Sequence, residues 1–261
     1  MKKRIISAII ALAITVPLIL LGGIPFQIGV LLIGAVAYKE MIDLKESHEQ
    51  IPFIMIILGV LEMFLLILAN NKTFGINWGI TYPIISTIII GLLLPIIFFK
   101  NNKYNSKNAF YLIGTVLFLG ISFNILSVIR ILSLELFVWL LIIPMFTDIF
   151  AYLVGSKFGK HKMCVTISPN KSWEGAAGGL IGGGIVATIF YIIFIGSISF
   201  KLVSYTILLS IIGQLGDLVL SKIKRENKIK DFSNLMPGHG GILDRLDSAL
   251  FVFILYSILV F

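Results

Sequence analysis

A dense set of acids, cations and glycines occupies residues 213–248 of a chain that is otherwise mostly hydrocarbon. Asp217, Asp244 and Asp247 supply carboxylates of the kind that bind Mg²⁺, which commonly takes one or two carboxylates and completes its shell with water and substrate phosphates. Five cations lie between these acids in the sequence: Lys222, Lys224, Arg225, Lys228 and Lys230. Because Lys and Arg offset phosphate charge, the segment predicts metal-assisted phosphate chemistry. The alternative for the cations is that they only mark the cytoplasmic side of a membrane.

One helix before this segment carries a polar stripe. Its members are three, four and three residues apart, which places them on one helical face: Gln214, Asp217, Ser221 and Lys224. If the helix leaves the membrane near Leu220, Asp217 lies roughly 5 Å inside it.

The last helix supplies further acids. It must begin near Ile242 if about 20 residues are to cross a membrane before the chain stops. This start draws Asp244, Asp247 and Ser248 into its first turns, at nearly the predicted depth of Asp217. The alternative is that acids at a helix N-terminus only offset the helix dipole, which accounts for one aspartate more easily than for three.

A compact turn, Pro237-Gly238-His239-Gly240-Gly241, comes directly before this last helix. Glycines let backbone N–H groups approach an anion, and the helix N-terminus that follows favours one. His239 either contacts the substrate or has a structural role.

A second polar region begins within an earlier apolar run. Asp148 lies about two turns inside that run, where an unpaired charge is costly, so we expect it to have a polar partner. The loop that follows combines a turn, a cation and an aromatic in residues 168–175, with Lys171 and Glu174 as candidate site residues and Trp173 as a membrane-interface anchor.

The composition sets the fold class. Hydrophobic residues make up 58% of the 261 and charged ones 13%, with a mean hydropathy of +1.03, whereas soluble domains are about a quarter charged. We therefore predict an all-α, polytopic membrane protein. Nine spans are expected, at residues 5–21, 25–41, 52–69, 80–99, 109–127, 134–154, 175–198, 202–220 and 242–261.

The basic residues support this topology. With the N-terminus cytoplasmic, 18 of the 21 Lys and Arg residues fall on the cytoplasmic side, as the positive-inside rule expects. The net charge of +8 then reflects topology and attraction to anionic lipids, and no nucleic-acid partner is needed. The single cysteine, Cys164, excludes an intrachain disulfide.

No linker divides the chain, so we expect one membrane domain, with little chemistry in residues 1–130 and the catalytic spans in 131–261. Glu62 is the exception in the first half, as an intramembrane acid with either a functional or a packing role. The run GAAGGLIGGG at residues 175–184 favours close helix packing over a phosphate cradle.

The motifs resemble a known family. The run from Ser221 to Asp247 is similar to the signature of phosphatidate cytidylyltransferases, also called CDP-diacylglycerol synthases, which ends in P-G-H-G-G-x-x-D-R-x-D. This sequence keeps, in order, Ser221, Lys224, Arg225, Lys230, Asp231, Pro237, Gly238, His239, Gly240, Gly241, Asp244, Arg245 and Asp247. Upstream, residues 148–161 resemble the family's D-x-x-A-Y-x-x-G-x-x-F-G-K-H, residues 213–217 its G-Q-x-G-D, and residues 168–175 its SPKKTWEG, from which Asn170 and Ser172 depart.

The resemblance implies transfer of CMP from CTP to phosphatidate at the cytoplasmic face of the cell membrane, with Mg²⁺ required and the number of cations left open. It assigns the metal to Asp217 and Asp244. The other catalytic candidates are Asp247, Lys224, Arg225 and His239. The substrate-binding candidates are Lys171, Ser221, Lys230, Gly238, Gly240, Gly241, Arg245, Asp148 and Glu174. The resemblance also suggests a homodimer.

Two alternatives stay open at this point. Buried acids along a polar helix stripe are also typical of a cation transporter, although here they gather at one mouth. A cytidylyltransferase or kinase that acts on another lipid acceptor has the same requirements.

Overall fold

The computed structural model describes residues 2–46, 51–69, 71–76, 79–80, 82–99, 103–236, 238 and 240–260. Within these ranges the chain is mainly helical, with one two-stranded sheet. The helices are α1 Lys2–Leu21, α2 Gly23–Glu46, α3 Phe53–Leu68, α4 Tyr82–Leu93, α5 Ser106–Leu132, α6 Leu134–Phe158, α7 Trp173–Phe194, α8 Phe200–Glu226 and α9 Leu243–Val260. The strands are β1 Lys162–Cys164 and β2 Ser168–Ser172.

Each predicted span coincides with one of these helices, but several ends differ. Helix α8 continues to Glu226 rather than stopping near 220, so its polar stripe stays helical throughout. Helix α4 ends at Leu93 and gives way to a 3₁₀ turn, Leu94–Ile97, because Pro95 has no N–H to donate.

Five helices of the described chain are long and apolar enough to cross a membrane: Gly23–Lys45, Ser106–Leu132, Leu134–Phe158, Trp173–Phe194 and Phe200–Glu226. Three apolar helices are shorter: Ile9–Leu21, Phe53–Leu68 and Tyr82–Ile97. The helical architecture and membrane character predicted from composition are therefore present.

Serine side chains begin the three helices α6, α7 and α8. Each hydroxyl accepts a hydrogen bond from an N–H group three residues further on, which satisfies a donor that the helix leaves unpaired. The pairs are Ser133 with Leu136, Ser172 with Gly175 and Ser199 with Leu202, at 3.0, 3.1 and 3.1 Å.

The chain forms two compact units. The N-terminal unit comprises Met1–Ile131 and Phe232–Asp244, and the C-terminal unit comprises Leu132–Asp231 and Arg245–Phe261. In the N-terminal unit, buried polar groups on α5 join several segments. Asn124 Nδ2 donates to the carbonyl oxygens of Ile67 and Ala69 at 3.2 and 2.6 Å, and Ser127 Oγ donates to Gln27 Oε1 at 2.6 Å.

Glu62 of α3 is buried in the same unit. Gly91 of α4 has no side chain, which leaves room for the carboxylate of Glu62. A Cβ at Gly91 would overlap Glu62 Oε1. The contact assigns Glu62 a place in the packing of α3 against α4.

Helices α6 and α7 are the most closely packed pair of the C-terminal unit. A Cβ at Gly179 would lie 2.6 Å from the Thr147 carbonyl oxygen, and one at Gly183 would lie 2.6 Å from the Thr147 nitrogen. The glycines of α7 therefore serve close helix packing, as the sequence predicted. Because α6 covers this face, a homodimer cannot use it, and dimerisation remains a prediction.

An antiparallel hairpin joins α6 to α7. Lys162 pairs with Ser172 and Cys164 with Ser168, with an irregularity between the two pairs. The sequence predicted only a loop here, because SPNKS has no apolar alternation. The strands place Lys171 immediately before the first turn of α7.

Candidate active site

Lys171 of β2 and Asp217 of α8 form an ion pair in the C-terminal unit. Lys171 Nζ lies 2.5 Å from Asp217 Oδ2, and both side chains are largely shielded from solvent, at 28% and 22% exposure. The other oxygen, Oδ1, accepts a hydrogen bond from Ser221 Oγ at 3.1 Å. The carboxylate of Asp217 is thus oriented through both of its oxygens.

This pair forms part of the wall of a cavity of about 250 Å³. The polar residues that line it come from α6, β2 and α8: Asp148, Tyr152, Asn170, Lys171, Ser172, Gln214 and Asp217. Asn170, where the sequence departs from the family motif, faces the same space as Lys171. The cavity brings together two acids and one cation that sequence analysis had named separately.

The start of α9 adds a third acid to this unit. Ser248 Oγ lies 3.4 Å from Asp148 Oδ2 and 3.3 Å from Asp247 Oδ1, so one hydroxyl lies between two carboxylates. Asp247 interacts electrostatically with Asp217, Asp148 and Lys224. Asp148 therefore has the polar partner that its depth required, and the three acids act on one another through space.

The predicted polar face of α8 is present. Gln214 and Asp217 line one cavity, and Ser221 bonds to Asp217 one turn away. Lys224, one further turn on, is buried at 7% exposure. A lysine buried beside an acidic cluster differs from the exposed cations that only mark a membrane side.

Arg225 has a different position. Its Nε donates to the Ile167 carbonyl of the hairpin turn at 3.3 Å, and its Nη1 donates to the Ile229 carbonyl at 2.9 Å. Arg225 thus joins the end of α8 to the hairpin that carries Lys171.

Glu174 braces the hairpin from the first turn of α7. Its carboxylate accepts hydrogen bonds from the backbone N–H groups of Lys160 and His161 at 3.2 Å and contacts His161 Nδ1 at 2.5 Å. Glu174 does not line the cavity, so its contacts indicate support of the hairpin.

Asp244 lies in the N-terminal unit and orders the segment before α9. Its Oδ2 accepts hydrogen bonds from the N–H groups of Phe232 and Gly241 at 2.8 and 2.9 Å. The turn itself is closed by two backbone hydrogen bonds between Met236 and Gly240, at 3.0 and 3.1 Å. Gly238 and Gly240 have φ angles of 80° and 82°, which other residues rarely adopt.

The N-terminus of α9 is occupied by protein acceptors. Gly240 N–H donates to Met236, Gly241 N–H to Asp244, and the next two N–H groups to Glu40. The sequence predicted that such groups would meet an anion. A phosphate at these positions must displace a carbonyl or carboxylate, so the cations are better placed to bind phosphate.

Glu40 is the residue that sequence reasoning missed. It is 2% exposed, and its carboxylate accepts hydrogen bonds from Ser233, Ile242 and Leu243. In the sequence it looks like the charged end of α2, beside Lys39 and Asp43. Only its position one residue inside the predicted end of that span, residue 41, hinted at a partner.

The remaining candidates fall into two groups. Lys230 and Arg245 are exposed on the surface. Pro237 and His239 lie outside the described residues, so the role of His239 stays a prediction.

The donor chemistry suits a hard cation. Asp148 and Asp217 present carboxylate oxygens to one cavity. In the described ranges, no three Asp, Glu, His or Cys side chains converge into a complete metal cage. Mg²⁺ needs only one or two protein carboxylates when water and phosphates fill its shell, so the residues present fit this ion.

Comparison with known proteins extends the motif resemblance to the whole chain. Three relatives called phosphatidate cytidylyltransferase come from Bacillus subtilis, Staphylococcus haemolyticus and Staphylococcus saprophyticus, with identities of 34%, 35% and 36%. The alignments cover 97%, 99% and 99% of this chain and 94%, 98% and 98% of the relatives. Residues 2–261 match the model of the cytidylyltransferase family. With the acids and cations of the motifs gathered as described, the chain belongs to the cytidylyltransferase family.

Proposed function

We propose that this protein is a phosphatidate cytidylyltransferase, which transfers CMP from CTP to phosphatidate and releases pyrophosphate. The observation that carries the proposal is the Lys171–Asp217 pair on the wall of an acid-lined cavity, in a chain whose near-full-length relatives have this name. The comparisons give no support to cation transport or to another lipid acceptor.

The reaction brings two anions together. A phosphate oxygen of phosphatidate attacks the α-phosphorus of CTP, a new P–O bond forms, and the bond from the α-phosphorus to the bridging oxygen of pyrophosphate breaks. The lipid phosphate is already ionised, so no side-chain nucleophile is required. Lys171 and Lys224 are placed to offset the repulsion and the charge of the departing pyrophosphate.

The acids would hold the metal. From the resemblance we assign Asp217 and Asp244 as its carboxylates, with Asp148 and Asp247 close to Asp217 within the C-terminal unit. Bound Mg²⁺ would supply Lewis-acid stabilisation of phosphoryl oxygens. Lys171 orients the carboxylate of Asp217 and balances its charge. Ser221 fixes the other oxygen of the same carboxylate.

The membrane topology of the protein is inferred from the side of the membrane on which its Lys and Arg residues are expected. We infer a multi-pass protein of the cell membrane with nine spans, a cytoplasmic N-terminus and a cytoplasmic site. The 18 to 3 distribution of basic residues supports it.

The test is a transfer assay with purified protein, CTP labelled at the α-phosphorus, Mg²⁺ and phosphatidate in mixed micelles. We expect label in CDP-diacylglycerol and one pyrophosphate per labelled lipid. A polyprenyl phosphate and diacylglycerol serve as competing acceptors, and Asp217→Asn protein serves as the blank. Absence of labelled lipid with phosphatidate, with folded protein present, contradicts the proposal.

A further inference from the structure

The carboxylate of Glu40 clamps the segment that precedes α9. Oε1 accepts hydrogen bonds from Ser233 Oγ at 2.7 Å and from Ile242 N–H at 2.8 Å, and Oε2 accepts one from Leu243 N–H at 2.8 Å. These donors lie 193, 202 and 203 residues away in the sequence. One buried side chain of α2 therefore holds both ends of the glycine-containing segment 233–243.

Glu40 and Asp244 accept hydrogen bonds from neighbouring N–H groups of the same backbone segment. Asp244 takes the N–H groups of Phe232 and Gly241, and Glu40 takes those of Ile242 and Leu243. The position of Asp244 is thus fixed from both sides, by the amides that it binds and by the amides next to it that Glu40 binds. Negative charge at this point is also favoured by the dipole of α9.

Gly241 permits this approach. A Cβ built at Gly241 would lie 2.6 Å from Glu40 Cδ and 2.8 Å from Oε2, closer than non-bonded atoms can come. The glycine adjoins the carboxylate of Glu40 itself, so a side chain here displaces that carboxylate.

We infer that Glu40 is a positioning residue for the transfer reaction: it holds the N-terminus of α9, and through it Asp244, in the arrangement that the reaction uses. This inference rests on the proposed function for its kinetic consequence only. Groups that orient a metal-binding carboxylate typically change metal affinity or activity by roughly 10- to 100-fold when they are removed.

Glu40→Gln is the most discriminating substitution. Its amide has one acceptor oxygen, whereas Ile242 and Leu243 N–H groups approach opposite oxygens of Glu40. Either orientation of the glutamine sets its NH₂ group against one of these N–H donors. Glu40→Asp keeps the charge but is one methylene shorter, so it should restore part of the function. Asp43→Asn, an exposed acid on the same helix, is the matched control.

The first measurement does not depend on activity. In a Cys164→Ser background, Asn234→Cys places a thiol at an exposed position of the clamped segment, and its maleimide alkylation rate reports opening of that segment. We expect Glu40→Gln and Gly241→Ala to accelerate alkylation roughly tenfold, with Glu40→Asp between, and Asp43→Asn unchanged. A thiol at the exposed Ser156 should react equally in all variants. Unchanged alkylation at position 234 in Glu40→Gln overturns the inference.

The second measurement separates positioning from stability. In the transfer assay we expect Glu40→Gln to raise the Mg²⁺ concentration for half-maximal rate roughly tenfold, with the KM for phosphatidate unchanged. A loss of fold stability alone lowers the active fraction and leaves the Mg²⁺ dependence of the remaining enzyme intact, which contradicts positioning. If the unsubstituted protein transfers no CMP, the proposed function fails, and the alkylation rates still decide whether Glu40 holds the segment.

Discussion

Lys171 Nζ and Asp217 Oδ2 lie 2.5 Å apart, in an ion pair that joins a β-hairpin to a helix. Neither partner is fully exposed, and the pair lies on a cavity wall that also carries Asp148. A charge-assisted contact of this kind is stronger than a surface ion pair. The hairpin is therefore an integral part of the site.

Removing the positive charge of Lys171 should impair CMP transfer more than folding. For Lys171→Gln we expect a fall in kcat/KM of roughly 10- to 100-fold, since a hydrogen bond to a charged group is lost together with a phosphate-binding charge. Lys162→Gln, at an exposed position on the same hairpin, is the control and should stay within about twofold. Equal activity of the two variants would remove Lys171 from the site.

The substitution Asp244→Asn removes the negative charge of this side chain but can keep its hydrogen bonds to the backbone. The amide oxygen can take the place of Oδ2 and keep the hydrogen bonds from Phe232 and Gly241, so folded protein should be recovered in normal yield. If the negative charge binds metal, turnover should fall by roughly a thousandfold or more. Glu226→Gln, which removes an exposed acid paired with Lys222, should leave turnover unchanged. Substantial activity in Asp244→Asn would exclude Asp244 as an essential metal ligand.

The glycine interface between α6 and α7 should be intolerant of side chains. Gly179→Val inserts atoms where a Cβ alone would lie 2.6 Å from the Thr147 carbonyl, and overpacking of this kind costs about 1–3 kcal/mol. Gly184→Val, at a position with nothing within 4 Å of its Cβ, provides the control. Thermal unfolding in detergent should show a lower midpoint for the first variant only. A similar midpoint for both would mean that the helices separate easily.

Glu174 and His161 should act as a unit. Because Glu174 supports the hairpin and does not line the cavity, Glu174→Ala should raise the KM for CTP only severalfold, about two- to fivefold. His161→Ala should do less, since the backbone N–H groups at 160 and 161 also bind this carboxylate. In a double-mutant cycle the combined loss should be smaller than the sum. Strict additivity would show that the two side chains act independently.

The topology can be read by chemical labelling. In a Cys164→Ser background, we expect a thiol at Asn234 to react with a membrane-impermeant maleimide only from the cytoplasmic side, and a thiol at Lys72 only from the outside. Right-side-out and inside-out vesicles give the two readings. Labelling of position 234 from outside would overturn the nine-span arrangement.

The sequence predicted the helices well because long apolar runs in this chain permit little else. It also predicted the α8 face, since the spacing of Gln214, Asp217 and Ser221 is fixed by helical geometry alone. Contacts between segments that are distant in the sequence were harder to predict. The pairing of Lys171 with Asp217 depends on a short polar hairpin without a strand pattern, and Glu40 needs partners about two hundred residues away that no local spacing reveals.

The Glu40 contact also sets an order of events during synthesis. Its partners Ile242 and Leu243 are made 202 and 203 residues after it, and residues 132–231 of the C-terminal unit are made in between. A buried carboxylate without donors is costly, so the N-terminal unit cannot reach its final hydrogen-bonded state until the start of α9 has left the ribosome. Synthesis of the start of α9 is thus a folding step for the N-terminal unit, and truncation before residue 242 should leave Glu40 of α2 without its two backbone donors.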